Sequence, residues 1–228
     1  MPAAAAPLLL VLALLAGCNP ATAFVERAVE RELPDLIGPA DAYDVSIEGL
    51  RLGEGAAEQV DVTGLRVRPD GAPALDRLAL VLTGVRYDPD AGRLDHVESA
   101  RATAHVRPSD LAAFLDAHRN VRDAALTLRP PDGATLRFRP EIRGFTVPEG
   151  VAVALTGRLA ADDGRVRFEV SEVRAGGLPL GRLVAQQLSA AINPVVDLTG
   201  TGAALHVTRV TVSAASIRVE ATGDPTGL

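Results

Sequence analysis

The stretch GRVRFEVSEVRAGGLPLGRLVAQQLSAAINPVVDLTGTGAALHVTRVTVSAASIRV, residues Gly164–Val219, decides the fold of this chain. Its first residues alternate between charged and apolar, as in Arg165-Val166, which predicts a strand with one face in water. A glycine-rich loop follows, and the next apolar residues recur at helical spacing up to Asn193-Pro194, a pair that ends a helix. Two more alternating runs predict a closing β-hairpin. The stretch therefore predicts an apolar helix laid against β-strands.

The helix in this stretch is the candidate functional element. Its apolar stripe is formed by Leu180, Leu183, Val184, Leu188 and Ile192, with Gln187 interrupting it. The stripe is either pure core or the wall of an apolar cavity that has Leu178 and Leu180 at its mouth. Burying the acyl chains of a lipid in such a cavity would be favourable by about 0.8 kcal/mol per CH₂ group. We therefore predict that the lipid-binding residues are Leu178, Leu180, Leu183, Val184 and Leu188.

The rest of the chain consists mostly of short alternating runs separated by turns. The runs predict about nine strands, together with three helices and without a regular βαβ alternation. This pattern is typical of an α+β fold, in which a long, curved, mainly antiparallel sheet wraps around helices. Leu50 and Leu52 are expected to continue the strand of Val45 and Ile47 after a bulge at Gly49.

An amphipathic helix is expected near the N-terminus. Its apolar stripe comprises Phe24, Val25, Ala28, Val29, Leu33, Leu36 and Ile37. Glu26 and Glu30 lie on the opposite, polar side, and Pro34 is expected to end or kink the helix.

The remaining helix is expected to begin at Pro108-Ser109, with Ser109 as its N-cap. His118 falls on the apolar stripe of this helix. We interpret His118 as a structural residue, because no second His or carboxylate lies at metal-ligand spacing from it.

The first residues of the chain resemble a bacterial lipoprotein signal peptide. Residues 1–17 carry no charged side chain, and Leu8–Leu15 form an apolar run that is too short to span a bilayer. The run ends in Leu15-Ala16-Gly17-Cys18, which resembles the lipobox, where the cysteine receives a diacylglyceryl group. We predict a signal peptide over residues 1–17, lipidation of Cys18, and a single domain over residues 18–228. The alternative is an ordinary secreted protein with a chance cysteine.

Composition limits the classes of function. Hydrophobic residues make up 47% of the 228 residues, enough for a sizeable core, whereas aromatic residues make up 3% and Trp is absent. The formal net charge of −6 and the scarcity of aromatic stacking surfaces argue against nucleic-acid binding. The single Cys excludes an internal disulfide and a thiolate metal cluster. We expect no nucleic-acid partner, no metal and no cofactor.

No catalytic signature stands out in the sequence. The chain contains no Gly-x-Ser-x-Gly run of the kind that carries the nucleophile of α/β-hydrolases. Thr199–Gly202 is glycine-rich, but the Gly-Lys-Ser/Thr of a phosphate-binding loop does not follow it. The four His residues could still belong to a triad, so a hydrolase with a converging Ser and His stays open as a third option. We predict that the protein is not an enzyme.

Arginine residues at alternate strand positions suggest a second candidate surface. They are Arg137, Arg139, Arg165 and Arg167. Such a face could bind anionic lipid head groups through bidentate hydrogen bonds. The alternative, which we favour, is a solvated sheet face whose charge is balanced by Glu141, Glu169 and Glu172.

Taken together, these patterns resemble the LmeA-type phospholipid-binding family, formerly a domain of unknown function. The resemblance rests on the N-terminal helix after a signal and on the segments Val45–Leu52, Leu75–Val85, Pro108–Leu111, Gly164–Phe168, Gly176–Leu180 and Leu205–Val212. It covers nearly all of the mature chain. The resemblance implies a tubular, BPI-like lipid-binding architecture, in which a curved sheet wraps a helix and leaves an apolar cavity.

These expectations define one function and one alternative. The chain is expected to be a non-enzymatic, phospholipid- or amphiphile-binding lipoprotein of the cell envelope, a carrier or accessory in envelope maintenance. The lipid on Cys18 would anchor it to a membrane so that it faces the periplasm or the extracellular space. The alternative is a structural or scaffold lipoprotein that acts through protein contacts.

Overall fold

The structure, a computed structural model, describes residues 20–88, 93–118, 121–141, 151–197 and 205–223. The predicted α+β class is confirmed, because three helices accompany mainly antiparallel strands in these ranges. The helices are α1 Pro20–Leu36, α2 Pro108–His118 and α3 Arg182–Ile192. The strands are β1 Ala42–Glu48, β2 Ala56–Val67, β3 Leu75–Asp88, β4 Arg93–His96, β5 Ser99–Val106, β6 Val121–Arg129, β7 Gly133–Pro140, β8 Val153–Asp162, β9 Arg165–Ala175, β10 Leu178–Pro179, β11 Val196–Asp197, β12 Leu205–Val212 and β13 Ile217–Gly223. Within the described ranges, every helix is too short or too polar to cross a membrane.

The strands divide between two sheets, so the prediction of one long sheet is wrong. The first sheet has the order β1-β2-β3-β5-β13-β12 with β4 beside β3, and the second has the order β10-β9-β8-β7-β6 with β11 beside β9. Neither sheet closes on itself within the residues described. An alternating pattern tells which face of a strand is buried, but not which strand becomes its neighbour.

One end of the second sheet abuts strand β12 of the first. The Val212 N–H donates to the Pro131 carbonyl at 2.7 Å, and Asp163 lies 2.9 Å from the His206 ring nitrogen Nδ1. Pro131 and Asp163 belong to the β6–β7 and β8–β9 turns, which lie at the same end of the second sheet. The second sheet therefore meets the first along the length of β12, and side chains of the two sheets pack against each other.

The β8–β9 turn confirms the hairpin that the sequence predicts. Asp162 pairs with Arg165, which leaves Asp163 and Gly164 as a two-residue loop with φ of 35° and 79°. Positive φ at both central residues is the requirement of a type I′ turn, and glycine adopts it without steric cost.

Two hydrophobic cores hold the fold together. The larger core lies between the second sheet, β12, β13, α2 and α3, and its most deeply buried side chains include Leu115, Phe138, Leu155, Leu188 and Ile192. The smaller core lies between α1 and strands β1, β2 and β3, and it is built from Leu33, Val45, Ile47, Ala57, Val60, Val62 and Val85. The large second-sheet core contains the helix of the opening stretch, as the sequence predicts.

Helix α1 is bonded to the edge strand β1 by two carboxylates. Glu26 Oε1 accepts a hydrogen bond from the Ile47 N–H at 2.9 Å, and Glu30 Oε1 accepts one from the Val45 N–H at 3.2 Å. Four residues of helix and two residues of strand both span about 6 Å, so the spacings match. The two glutamates, which were expected on the polar side of the helix, thus satisfy the open edge of the first sheet.

The ends of α1 also differ from expectation. Phe24 and Leu36, which belong to the expected stripe, are 70% and 77% exposed, whereas Leu33 is buried. Pro34 lies inside the helix, which continues to Leu36. A proline so close to the end of a helix removes little of its hydrogen bonding, so α1 continues past Pro34 to Leu36.

Two further local predictions are wrong. β1 ends at Glu48, and Leu52–Glu54 form a 3₁₀ turn, so no bulged strand continues through Leu52. α2 begins at Pro108 itself, because the Arg107 carbonyl accepts hydrogen bonds from the next turn, which places Ser109 inside the helix instead of at its N-cap. Proline suits this first helical position because it has no N–H to satisfy.

Candidate functional site

Helix α3 runs antiparallel to strand β9 and is fixed to it at both ends. Before the helix, the Leu180 N–H donates to the Val173 carbonyl at 2.9 Å. After it, the Val195 N–H donates to the Val166 carbonyl, also at 2.9 Å. The short strands β10 and β11 extend these contacts by pairing with the two ends of β9. The segment from β10 to β11, which we call the strap, thus runs along the edge of the second sheet beside β9.

Asn193 makes the contact at the C-terminal end of α3. Its Oδ1 accepts a hydrogen bond from the Phe168 N–H at 2.7 Å, and its Nδ2 donates to the Phe168 carbonyl at 2.9 Å. The same Nδ2 lies 3.0 Å from the Ser189 carbonyl. The side chain therefore gives β9 the bonds that a neighbouring strand would give. From the sequence, Asn193 is predicted only to end the helix, and an amide side chain directly after an apolar stripe is the signal for the contact with β9.

The five predicted lipid-binding residues fall along a gradient of burial. Leu188 is 1% exposed, and Leu180 and Val184 are half-buried against the larger core. Leu178 and Leu183, in contrast, are 72% and 77% exposed. Apolar residues four apart share one face of the helix, and Leu183 lies off that face, so its place in the buried stripe is wrong.

Because of this gradient, the two halves of the strap differ in how much apolar surface they expose to solvent. Its N-terminal half presents two leucines to solvent, although fully burying a leucine would be favourable by about 1.5–3 kcal/mol. Its C-terminal half is sealed by Leu188 and Ile192, which are buried in the core. An apolar ligand approaching the second sheet would therefore meet Leu178 and Leu183 first, and Leu180 and Val184 next.

The interior beneath the strap is closely packed. An apolar crevice where the two sheets meet has a volume of about 10 Å³. Its lining residues are Pro73, Val106, Leu111, Leu159, Val166, Val195, Val196, Ile217 and Val219. This volume holds about one water molecule, whereas a cavity of about 150 Å³ is needed to bind even benzene. An acyl chain can therefore enter this crevice only if side chains or the strap move.

The arginine-rich face of the second sheet is largely paired within itself. Arg158 lies 2.6 Å from Glu169, Arg174 lies 2.8 Å from Glu172, and Arg167 lies 3.3 Å from Asp162. Arg139 pairs with Asp123 and Arg122 with Glu141. Glu141, Glu169 and Glu172 thus balance charge as the favoured interpretation expects, although through arginines other than those it named. Exposed pairs of this kind contribute little to stability.

A shallow groove on this face is the second candidate surface. It has a volume of about 340 Å³ and is lined by Asp123, Ala125, Arg137, Phe138, Arg139 and Ala152. Within the described ranges, Arg137 makes no ion pair, so its guanidinium is the group in the groove that could bind an anion. The groove is open to solvent. Residues 142–150 lie outside the described residues.

The described residues contain neither a serine-based triad nor a metal centre. His206 and Asp163 form an exposed pair 2.9 Å apart, and within the described ranges no serine or cysteine bonds the other ring nitrogen. No group of three or more His, Cys, Asp or Glu side chains in these ranges could hold a metal ion. Cys18, Asn120 and Thr199–Gly202 lie outside the described residues, and so does the side chain of His118.

The groups with a shifted pKa lie away from the strap, in the first sheet. The hydrogen bond and the negative charge of Asp110 raise the pKa of the Arg66 guanidinium, whose nitrogens lie 2.6 and 3.2 Å from that carboxylate. Burial raises the pKa of the Tyr43 hydroxyl, which donates to the Gly38 carbonyl at 2.7 Å. The first interaction ties β2 to α2, and the second closes the loop after α1.

Comparison with known proteins adds one finding. A family model described as LmeA-like phospholipid-binding matches residues 17–222. No curated protein and no solved structure matches the chain. The match includes all three helices and both sheets.

Proposed function

The chain belongs to the LmeA-like phospholipid-binding family, and from this membership we propose that it binds a phospholipid or a similar amphiphile beneath the strap. The observation that carries the proposal is the exposure of Leu178 and Leu183 directly beside the large apolar core. In this proposal the two open sheets are walls of the tubular, BPI-like architecture that the resemblance implies, and α3 is the wall that admits the acyl chains.

The packed interior sets the mechanism of the proposed binding. Acyl chains displace Val184 and Leu188 from the core while β10, Asn193 and β11 keep both ends of the strap on β9. Apolar side chains exchange their mutual contacts for contacts with CH₂ groups, so the interior stays dry. Neither step needs a metal, a nucleotide or a bond-breaking group, and the protein acts without catalysis as a carrier or accessory in envelope maintenance.

The proposed location is the cell envelope. The Leu15-Ala16-Gly17-Cys18 sequence supports lipidation of Cys18, and two or more acyl chains would anchor the protein far more firmly than one. Replacing Cys18 by Ala is expected to release the protein from the membrane fraction and to remove the acyl mass from its mature N-terminus. Unchanged fractionation together with an unmodified N-terminus would refute the anchor.

Lipid extraction and native mass spectrometry test the binding itself. The protein purified from its envelope is expected to carry phospholipid, and to take up a phospholipid with a photoreactive acyl chain from phosphatidylethanolamine–phosphatidylglycerol vesicles. Cross-links should map to the strap and to β9. Absence of bound lipid together with absence of uptake from vesicles would refute the proposal. Cross-links confined to the Arg137 groove would show that the lipid binds there and not beneath the strap.

A matched pair of variants sharpens this test. Leu183→Asp is expected to weaken lipid uptake by roughly tenfold, because it removes an apolar contact worth about 1.5–3 kcal/mol. Leu65→Asp is the control, since Leu65 is also an exposed leucine but lies on the first sheet. Equal uptake by the two variants would show that the exposed half of the strap does not meet the lipid.

The packed interior favours a second candidate function. A fully packed core is what a structural lipoprotein of the envelope needs if it works through protein contacts. In that case the purified protein carries no lipid, the photoreactive lipid labels nothing, and cross-linking in intact cells joins the chain to one partner in constant ratio. The same purified material therefore separates the two functions.

A further inference from the structure

The end of the first sheet where α1 begins carries a group of exposed apolar side chains. Glu26 bonds Ile47 and Glu30 bonds Val45, so α1 and β1 run in opposite directions. The start of α1 therefore lies beside the end of β1 that leads into the 3₁₀ turn Leu52–Glu54. We call this end of the first sheet the tip.

Three large apolar side chains are exposed at the tip. Leu52 is 59% exposed at the summit of the 3₁₀ turn, and Tyr87 is 47% exposed on the neighbouring strand β3. The Tyr87 N–H donates to the Gly55 carbonyl at 2.7 Å, which holds the strand end against the turn. Phe24, in the second turn of α1, is 70% exposed.

The exposed aromatic residues distinguish the tip from the rest of the described surface. The described aromatic residues other than Phe24 and Tyr87 are Tyr43, Phe114, Phe138 and Phe168, and all of them are buried or half-buried. Both exposed aromatic residues thus belong to elements that lie toward the tip, Phe24 near the start of α1 and Tyr87 near the end of β3. Aromatic and leucine side chains are the residues that enter the interfacial layer of a bilayer.

The proposed lipid anchor at Cys18 indicates that this surface meets a membrane. Cys18 precedes Pro20, the first residue of α1, by two positions in the sequence, and two residues of chain reach at most about 8 Å. Leu36 and Leu65 are also exposed, but they lie at the opposite end of the first sheet, where the Asp41 N–H bonds the Leu65 carbonyl. A lipid on Cys18 would hold the tip against a membrane and keep the opposite end away from it.

We propose that the tip, formed by Phe24, Leu52 and Tyr87, is a membrane-docking surface that inserts into the interfacial layer of a lipid bilayer. The choice of end rests on the proposed anchor at Cys18, whereas the lipid site beneath the strap is not required for it. Docking is apolar: Arg51 and Glu54, which flank Leu52, lie 3.3 Å apart and neutralise each other. Insertion therefore depends little on anionic lipid or on salt.

Because the chain contains no Trp, single substitutions report on single positions. The full lipoprotein is purified as Leu52→Trp, Tyr87→Trp and Leu65→Trp variants and reconstituted in phosphatidylcholine vesicles with or without brominated acyl chains. Leu52→Trp and Tyr87→Trp are expected to show blue-shifted emission that brominated chains quench. Leu65→Trp is the matched control on an exposed leucine of β2, and its emission should not change.

The outcomes separate this proposal from the proposed function. Equal quenching at Leu52→Trp and Leu65→Trp, or no quenching at Leu52→Trp and Tyr87→Trp, overturns the docking surface even if the protein carries lipid. Quenching confined to the two tip variants supports it even if no lipid is bound beneath the strap. The intact mass of the same samples reports whether Cys18 is acylated, so a failed anchor is recognised separately.

Discussion

Helices α1 and α3 both lie antiparallel to a single strand, yet they are held in different ways. α1 is bonded along its length, because Glu26 and Glu30 reach the amides of Ile47 and Val45. α3 is bonded only at its ends, through β10 and through Asn193 and β11, while apolar packing alone holds its middle. The difference separates a helix that hydrogen bonds fix along a strand from one whose middle is held by apolar packing.

The largest expected effect concerns the apolar packing of α3. Leu188→Ala should lower the free energy of unfolding by about 2–5 kcal/mol, because it removes a fully buried side chain from the larger core. Leu183→Ala, one turn earlier on the exposed side, should change it by less than about 0.5 kcal/mol. Urea unfolding of the two variants checks this. Similar losses would mean that the strap is packed along its whole surface.

The next effect concerns the end of α3. Asn193→Ala should cost about 2–3 kcal/mol, because it leaves the half-buried N–H and C=O of Phe168 without partners. Hydrogen exchange of the Phe168 amide should accelerate with it. Asn193→Asp keeps an acceptor for that amide but loses the donor. We therefore expect its stability to lie between those of the native protein and Asn193→Ala. Unchanged hydrogen exchange of the Phe168 amide in the Asn193→Ala variant would contradict the role of Asn193 in fixing the C-terminal end of α3 to β9.

A smaller effect is expected in α1. Glu26→Ala should cost about 1–2 kcal/mol, since it removes a charged acceptor from the Ile47 amide. Glu26→Gln keeps an oxygen at that position and should cost less. Glu32→Ala, an exposed glutamate of the same helix, is the control and should stay within about 0.5 kcal/mol of the native protein. If Glu26→Ala matches this control, α1 is held by packing alone and the contrast with α3 disappears.

The smallest effect concerns the loop after α1. Tyr43→Phe should cost about 0.5–1.5 kcal/mol at neutral pH through loss of the hydrogen bond to the Gly38 carbonyl. Burial raises the pKa of Tyr43 above its usual value of 10.0, so the folded state keeps this proton more tightly than the unfolded state. The contribution of this group is complete below pH 10 and is lost as the pH rises through the folded pKa.

Thermal unfolding of native and Tyr43→Phe proteins between pH 8 and pH 11 measures this, and the gap between them should narrow above about pH 10. A gap that stays constant with pH would show that burial of the hydroxyl does not differ between the folded and unfolded states. The strap, whose middle is held by apolar side chains, should give no such pH dependence in the Leu188→Ala variant.

Much of this contrast could be predicted from the sequence, because periodicity reports local structure. The spacing of Leu180, Val184 and Leu188 specified a helix with one apolar face, and Asp163-Gly164 specified a tight hairpin. The division into two sheets could not be predicted, because alternation does not name a strand's neighbour. The exposure of Leu183 could not be predicted either, because helical spacing does not distinguish an apolar residue beside the buried stripe from one within it.

The polar contacts were harder to predict than the apolar ones. Glu26 and Glu30 looked like ordinary surface charges, because their partners are backbone amides that a sequence does not mark. The packed interior under the strap is also invisible in a sequence, since the same leucines can fill a core or line a cavity. What decides between those outcomes is how closely α3 approaches β9, and the bonds of Asn193 set that distance.

The position of β12 and β13 in the first sheet has a consequence for how the chain folds. These two strands come last in the described chain, yet β13 pairs with β5 and β12 contacts the end of the second sheet. Until they are in place, β5 has an open edge and the contacts of β12 with the second sheet are missing. Ile217 must find Val106 across about half of the chain, a non-local pairing of the kind that makes folding slow. In a chain exported in an unfolded state, as the proposed signal peptide would require, the first sheet would therefore stay incomplete until its final hairpin has emerged.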